Sequence, residues 1–181
     1  TGLQPLTDHI AKPLLPIAGK PTLGYLIDSL KRAKATEIFI TTSYKSNDLL
    51  SALGGGSRFD SIFLYAIEDE PAGTAGAVKR IMNVLDHTCI VANGDLMLDV
   101  DISAMVEFHN EKNAAVTIAL HQVEDPSPFG VAQLDNDGRI VRFQEKPKRE
   151  EAFSNLINAG IYILQTDVLK YVPDDENFDF A

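Results

Sequence analysis

The sequence predicts an α/β fold in a single domain over residues 1–181, with a mainly parallel sheet, helices on both its faces and a mixed-sheet extension in the second half. Three observations carry this prediction. Short β-branched runs alternate with amphipathic helical stretches up to about residue 115, the pattern of parallel strands joined by crossover helices. Past that point the helical stretches give way to strands around a turn of hairpin chemistry. The length of 181 residues also suits about one domain, since domains usually run to roughly 100–200 residues.

Each element has its own reason. Leu23, Leu26, Ile27 and Leu30 recur at the spacing of one helix face. Pro21 suits a first turn, and Lys31, Arg32 and Lys34 suit a C-terminal end. Glu37 to Thr42 is short and β-branched, hence a strand. Asn47 to Leu53 reads as a helix stopped by Gly54-Gly55-Gly56. Ile62 to Ile67 reads as strand, Ala75 to Leu85 as helix, and Thr88 to Ala92 as a buried strand. Ser103 is placed to cap a helix running to about Glu111, with Met105, Val106 and His109 on one face. Val116, Ile118 and Leu120 alternate as a strand does. Two strands near 130–134 and 140–144 flank Asp135-Asn136-Asp137-Gly138. Leu156 to Leu164 is another apolar strand, and a short helix follows from about Asp167.

Composition narrows the function. Apolar residues at 45% and charged residues at 23% are ordinary for a globular protein and exclude disordered, collagenous and coiled-coil classes. Sixteen basic against 26 acidic residues give a net charge of −10, which argues against binding nucleic acid or an anionic membrane. A local basic pocket for one small phosphorylated ligand is compatible with that charge. The single cysteine, Cys89, cannot make an internal disulfide or a multi-cysteine zinc site, and it sits in an apolar stretch suited to packing. No apolar run approaches the roughly 18 residues of a membrane span, and no signal peptide opens the chain. The expectation is a cytoplasmic domain.

Four clusters and one strand break carry candidate chemistry, each with a plainer reading beside it. In Lys12-Pro13-Leu14-Leu15-Pro16 a lysine on a proline-stiffened loop can present a point charge to a phosphate; it also reads as a solvated lysine before a turn. Gly73-Thr74-Ala75-Gly76, between a strand and a helix, lets a ligand approach the backbone and helix amides. It equally reads as a tight turn, and its spacing fits neither a dinucleotide fingerprint nor a P-loop. Asn93-Gly94-Asp95 ends a strand in a carboxylate, where open α/β sheets bind ligands. Asp95 there suits Mg²⁺ beside a phosphate, or serves as a capping residue. Glu145-Lys146-Pro147 pairs a carboxylate with an ammonium, suited to sugar hydroxyls and a phosphate, or simply exposed. Asn158-Ala159-Gly160 breaks an apolar strand as a ligand edge or a bulge does. His9, His87, His109 and His121 have no metal-ligand spacing.

Taken in order, Pro5-Leu6-Thr7 with Lys12-Pro13-Leu14-Leu15-Pro16, Gly73-Thr74-Ala75-Gly76, Asn93-Gly94-Asp95, Phe129-Gly130-Val131, Glu145-Lys146-Pro147 and Asn158-Ala159-Gly160-Ile161-Tyr162 resemble the sugar-1-phosphate nucleotidylyltransferases. The resemblance runs from Leu3 to Phe180. The Gly-Thr-Ala-Gly form and the Phe178-Asp179-Phe180 tail look most like the mannose-1-phosphate guanylyltransferase branch, with heptose-1-phosphate guanylyltransferases close behind. The resemblance implies a Rossmann-like α/β/α sandwich of the nucleotide-diphospho-sugar transferase kind. It implies transfer of a nucleotidyl group from a nucleoside triphosphate to a sugar 1-phosphate, with Mg²⁺ as cofactor. Asp95 would hold the metal, and Lys12 would neutralise phosphate oxygens. Gly73, Thr74, Ala75, Gly76, Asn93 and Gly94 would meet the nucleotide. Glu145 would bind sugar hydroxyls, Lys146 the sugar phosphate, and Gly130 and Asn158 would line the sugar pocket. A homo-oligomer is compatible with it.

Two departures stand against this. The family's phosphate loop ends in Gly-Thr-Arg-Leu, whereas this chain opens Thr1-Gly2-Leu3, with Gly2 at the arginine's position and no strand before it. A second metal-binding aspartate usually follows beyond Ala181. The expectation is a catalytic domain shown without its first strand and its C-terminal part. The rival reading is a non-catalytic sensor of nucleotide-sugars, favoured by Gly2 and opposed by the joint presence of Lys12, Asp95 and Lys146. No residue separates guanine from thymine or uracil, so enzymes using dTTP or UTP with glucose 1-phosphate remain an alternative.

Overall fold

In the computed structural model, residues 3–97, 99–174 and 177–180 are described. β1 (Pro16–Ile17) and β2 (Lys20–Pro21) form a small antiparallel hairpin. Its turn places Ala18 and Gly19 at φ 48° and 80°, the left-handed pair a two-residue hairpin demands. α1 (Thr22–Arg32) follows and buries Leu23, Leu26 and Ile27, with Lys31 and Arg32 in its last turn. β3 (Glu37–Thr42), α2 (Ser46–Leu53) and β4 (Ile62–Ile67) make one crossover unit. α2 stops where Gly54 turns to φ 60°. β3 and β4 pair in parallel from Glu37–Ile62 to Thr42–Ile67. Leu23, Leu26, Ile27, Leu49, Leu53 and Phe63 close a core beneath them, with Ile38 and Ile40 packed against it.

α3 spans Gly73–Arg80, and a 3-10 turn at Met82–Val84 replaces the continuous helix expected to Leu85. Ile81 leaves helical geometry at φ −105°, ψ 6°, in a stretch where Ile81, Asn83 and Val84 favour helix weakly. β5 (Thr88–Ala92) has the expected limits but is half-buried rather than fully buried. Burial still pushes the Cys89 thiol up to about 11, which suits a packing role. α4 (Ile102–Glu111) is capped not by Ser103 but by Asp101, whose carboxylate accepts the Ala104 N–H at 3.0 Å. The cap sits two residues earlier because an N-cap accepts from the third residue after it, and the helix already starts at Ile102. β6 (Val116–Gln122), β7 (Gly130–Leu134), β8 (Ile140–Glu145) and β9 (Leu156–Gln165) complete the strands. A 3-10 turn at Thr166–Tyr171 stands where a short helix was expected.

The chain alternates as an α/β protein does, but the strand directions differ from a mainly parallel sheet. Among the described residues β3–β4 is the one parallel pair. The reason lies in β9. β5 and β6 both run antiparallel to it, so they run parallel to each other, as a crossover through α4 requires. β9 inserts between them, and each therefore meets an antiparallel neighbour. Tyr162, Ile163 and Leu164 on β9 are 3%, 0% and 0% exposed, the near-continuous burial of a strand covered on both faces.

His109 on α4 is the one fully buried histidine among the described residues, at 1% exposure. Its Nδ1 lies 2.9 Å from Thr117 Oγ1, and its Nε2 lies 3.1 Å from Gln165 Nε2. The Gln165 Oε1 accepts from Thr88 Oγ1 at 3.2 Å. The amide must then donate to Nε2, which leaves the imidazole proton on Nδ1. This polar chain stitches α4, β6, β9 and β5 together.

Candidate active site

β6 pairs along one edge of β9, so β5 and β7 share the other edge. β5 holds it from Gln165 to Ile161, and the Asn93 N–H extends the ladder onto the Gly160 carbonyl at 3.1 Å. β7 takes over at the Val131–Ile157 pair. Between the two lie Asn158, Ala159 and Gly160. The edge therefore forks: Asn93, Gly94 and Asp95 leave at one side, and Gly130 enters at the other. β8 sets Glu145 opposite Gly130, with Lys146 following. Residues far apart in the chain meet because one long strand serves two neighbours.

The fork is shaped by glycines in two places. Gly160 stands at φ 75°, and a side chain there would strike the Asn93 amide at 2.8 Å, so the bulge needs glycine. A Cβ on Gly130 would lie 2.8 Å from Glu145 Oε2 and closer still to the Phe143 ring. Gly94, by contrast, has only ordinary contacts with Pro13 and Leu23. Asn158 accepts the Gly160 N–H at 2.9 Å and donates to the Tyr162 hydroxyl at 2.7 Å. Its side chain thus holds the bulge while one amide hydrogen is left over.

Charge gathers at the same place. The Lys12 ammonium forms an ion pair with Asp95 Oδ2, bringing the proline-stiffened loop onto the end of β5. Lys146 pairs with Glu145 Oε1 at 2.8 Å. Lys146 sits at φ 43° and its N–H bonds the Phe129 carbonyl at 3.0 Å, so a left-handed turn aims it. The hydrogen bond and charge of Glu145, with the charge of Asp179 adding to them, hold the Lys146 ammonium above its usual range.

The Gly73–Gly76 segment opens α3, and the chain's own tail covers it. Ala75 and Gly76 donate to the Phe178 carbonyl at 3.0 and 3.1 Å, and the Thr74 N–H donates to Asp179 Oδ1 at 2.7 Å. Ala75 is 1% exposed and packs with Leu164 and Leu169. Its side chain belongs to the core. The helix amides offered by the sequence to a ligand are taken up within the chain. The role of Asp179 has no local signal, since its partner lies 105 residues away.

Two partly open recesses lie beside the fork. One of about 450 Å³ adjoins the carboxyl end of β4, bordered by Glu68, Glu70 and Arg80, next to the Gly73 loop. Another of about 370 Å³ lies between α1 and the segment ahead of α4. Among the described residues no cluster of three or more His, Cys, Asp or Glu side chains stands ready for a metal, so a divalent cation here would rest on the single carboxylate of Asp95. Mg²⁺ needs few carboxylates when phosphate oxygens supply the rest, and the Lys12 ammonium now paired to Asp95 would have to turn away to those oxygens. Gly2, at the expected arginine's position, lies outside the described residues.

Residues 1–179 match the family model described as nucleotidyl transferase. The chain belongs to that family. A UTP–glucose-1-phosphate uridylyltransferase of a Synechocystis species is 34% identical over 195 residues, covering 100% of this chain and 50% of that protein. A mannose-1-phosphate guanylyltransferase of Mycobacterium tuberculosis is 34% identical over 174 residues, covering 96% and 48%. A candidate glucose-1-phosphate thymidylyltransferase of Bacillus anthracis, crystallised with sucrose, superposes at a TM-score of 0.86 and 30% identity, covering 96% of this chain and 70% of that one. This nucleotidyl transferase chain spans about half the length of the curated relatives it matches. The likeness also places its α/β architecture in the nucleotide-diphospho-sugar transferase fold. No helix among its described residues is long and apolar enough to cross a membrane.

Within this nucleotidyl transferase, Lys12, Asn93, Gly94, Asp95, Gly130, Glu145, Lys146 and Asn158 gather around the fork. Gly73, Thr74, Ala75 and Gly76 lie apart from it at the start of α3, joined to it through the tail.

Proposed function

We propose that this chain carries the transfer site of a sugar-1-phosphate nucleotidylyltransferase, joining a nucleoside triphosphate to a sugar 1-phosphate and releasing pyrophosphate. GTP with mannose 1-phosphate or a related sugar is the favoured pair. The observation that carries this reading is the pairing of two cation–carboxylate couples, Lys12–Asp95 and Glu145–Lys146, at the fork of β9.

The chemistry is an in-line displacement. An oxygen of the sugar phosphate bonds to the α-phosphorus as the bond to the bridging oxygen of pyrophosphate breaks. Such transfer depends on positioning and charge neutralisation rather than on a covalent enzyme intermediate. Lys12, on its rigid loop, would neutralise oxygens of the triphosphate. Asp95 would hold Mg²⁺, which when bound supplies further neutralisation of phosphate charge. Lys146 would hold the sugar phosphate, and Glu145 would accept from sugar hydroxyls, with the missing side chain of Gly130 leaving room for its carboxylate. Asn93 and Gly94 would border the nucleotide, as would the loop from Gly73 to Gly76. Substrates of this kind and one half-buried free cysteine support a cytoplasmic setting.

The uridylyltransferase and thymidylyltransferase relatives support a second reading with glucose 1-phosphate. One experiment separates them. Pyrophosphate release with Mg²⁺ is measured for GTP, dTTP, UTP, CTP and ATP against mannose, glucose and heptose 1-phosphates, with Asp95→Asn as control. Release with one pair, lost in the variant, establishes the reaction and its substrates. Nucleotide-sugar binding without release from any pair would replace the enzyme by a sensor.

A further inference from the structure

We infer that Asp179 is a positioning residue for the nucleotide half of the site, clasping the Gly73–Gly76 loop to the fork of β9; this rests on the nucleotidyl-transfer reading above. Asp179 Oδ1 accepts both the N–H of Thr74 at 2.7 Å and its hydroxyl at 3.0 Å. The same hydroxyl accepts the Phe180 N–H at 3.1 Å, so its orientation is settled from both sides. Phe178 adds to the clasp through its carbonyl, which takes the Ala75 and Gly76 amides, and through its N–H, which reaches the Ala72 carbonyl at 2.9 Å. Gly73 stands at φ 76°, and a side chain there would run into Phe178.

The clasp continues to the fork. The Phe180 ring lies 4.8 Å from the Tyr162 ring, and the Tyr162 hydroxyl accepts from Asn158. The negative charge of Asp179 also acts on Lys146. One carboxylate therefore orders the loop at one end, and through Phe180 the same tail segment packs against Tyr162 at the other, with its charge a minor addition to that of Glu145 at Lys146.

Two consequences follow. With the Thr74 amide engaged by Asp179 and the Ala75 and Gly76 amides by Phe178, these three helix amides are not offered to a phosphate. Removing the carboxylate also acts in opposite senses on the two substrates. The loop loosens, which weakens the nucleotide, while Lys146 loses a competing anion, which favours the sugar phosphate. A purely structural residue would weaken both.

The test is direct binding, measured by calorimetry on the full chain, of GTP, dTTP and UTP and separately of mannose 1-phosphate and glucose 1-phosphate. Asp179→Ala is expected to weaken the best-bound triphosphate about tenfold, while the best-bound sugar phosphate binds equally or more tightly. Asp179→Asn retains an oxygen for Thr74 and should restore triphosphate affinity to within about twofold of the unaltered protein. Equal weakening of both ligands, or unchanged triphosphate binding in Asp179→Ala, overturns the inference, as does failure of Asp179→Asn to rescue. Binding without turnover in the unaltered protein defeats the nucleotidyl-transfer reading alone. No binding of any triphosphate defeats both.

Discussion

The ammonium of Lys12 and the carboxylate of Asp95 form an ion pair across 83 residues of chain, at the carboxyl end of β5. Their side chains are 51% and 33% exposed. An exposed pair of this kind contributes about 0–1 kcal/mol to stability, so the proposed transfer role can be tested with little effect on folding. Lys12→Met and Asp95→Asn are each expected to lower pyrophosphate release by roughly 10²–10³-fold, the usual scale for a preorganised charge. Thermal unfolding should shift by no more than about 2–4 °C. Loss of activity matched by collapse of the melting temperature would show that the pair is structural.

Gly130 offers a cleaner probe of the proposed sugar side. Gly130→Ala places a Cβ 2.8 Å from Glu145 Oε2, and either the carboxylate or the Phe143 ring must yield. Overpacking of this sort costs about 1–3 kcal/mol. The expected outcome is a raised KM for the sugar 1-phosphate, with the KM for the triphosphate nearly unchanged. Steady-state kinetics with each substrate varied in turn decide it.

The capping of α4 is tested by two single substitutions. Asp101→Ala removes the acceptor of the Ala104 N–H and should cost about 0.5–2 kcal/mol. Ser103→Ala should cost less, since its hydroxyl makes only a long bond, 3.4 Å, to the Arg32 carbonyl. Urea denaturation of the two variants side by side would reverse the assignment if Ser103→Ala proved the more damaging.

His109 makes stability depend on pH. Burial lowers its tendency to take a proton, so the folded form keeps the imidazole neutral at pH values where the unfolded chain begins to protonate. Its contribution is fully present above about pH 6.5, the unfolded value. It is lost as pH falls from there through the lower folded value. Denaturation midpoints of the unaltered protein and of His109→Gln, followed from pH 8 to pH 5, should converge as the pH drops. Parallel curves would mean that this histidine does not titrate between the two states.

Leu164 is 0% exposed on β9, paired to Cys89 on one side and Val116 on the other. Leu164→Ala is expected to lose about 2–5 kcal/mol, read by chemical denaturation. A loss well below 1 kcal/mol would contradict the placement of β9 at the centre of the core.

Local chemistry made much of this protein legible from its residues alone. β3, β4 and β5 have the limits that their β-branched runs predict, because strand propensity and flanking turns act over a few residues. The hairpin around Asp135 to Gly138 and the stop of α2 at Gly54 are equally local, as glycine needs no distant partner to adopt a positive φ. The family, too, was legible, since its motifs are short and ordered. Tertiary structure alone decided how the pieces meet. Nothing near Leu156 announces that β9 would insert between β5 and β6, because pairing is set by which edges become available once the core closes. The Lys12–Asp95 pair spans 83 residues and the Thr74–Asp179 clasp 105. Such contacts depend on loop closure and packing, and no periodicity in the chain encodes them. The residue types at the site were written in the sequence, while their meeting at one forked strand edge was a property of the fold.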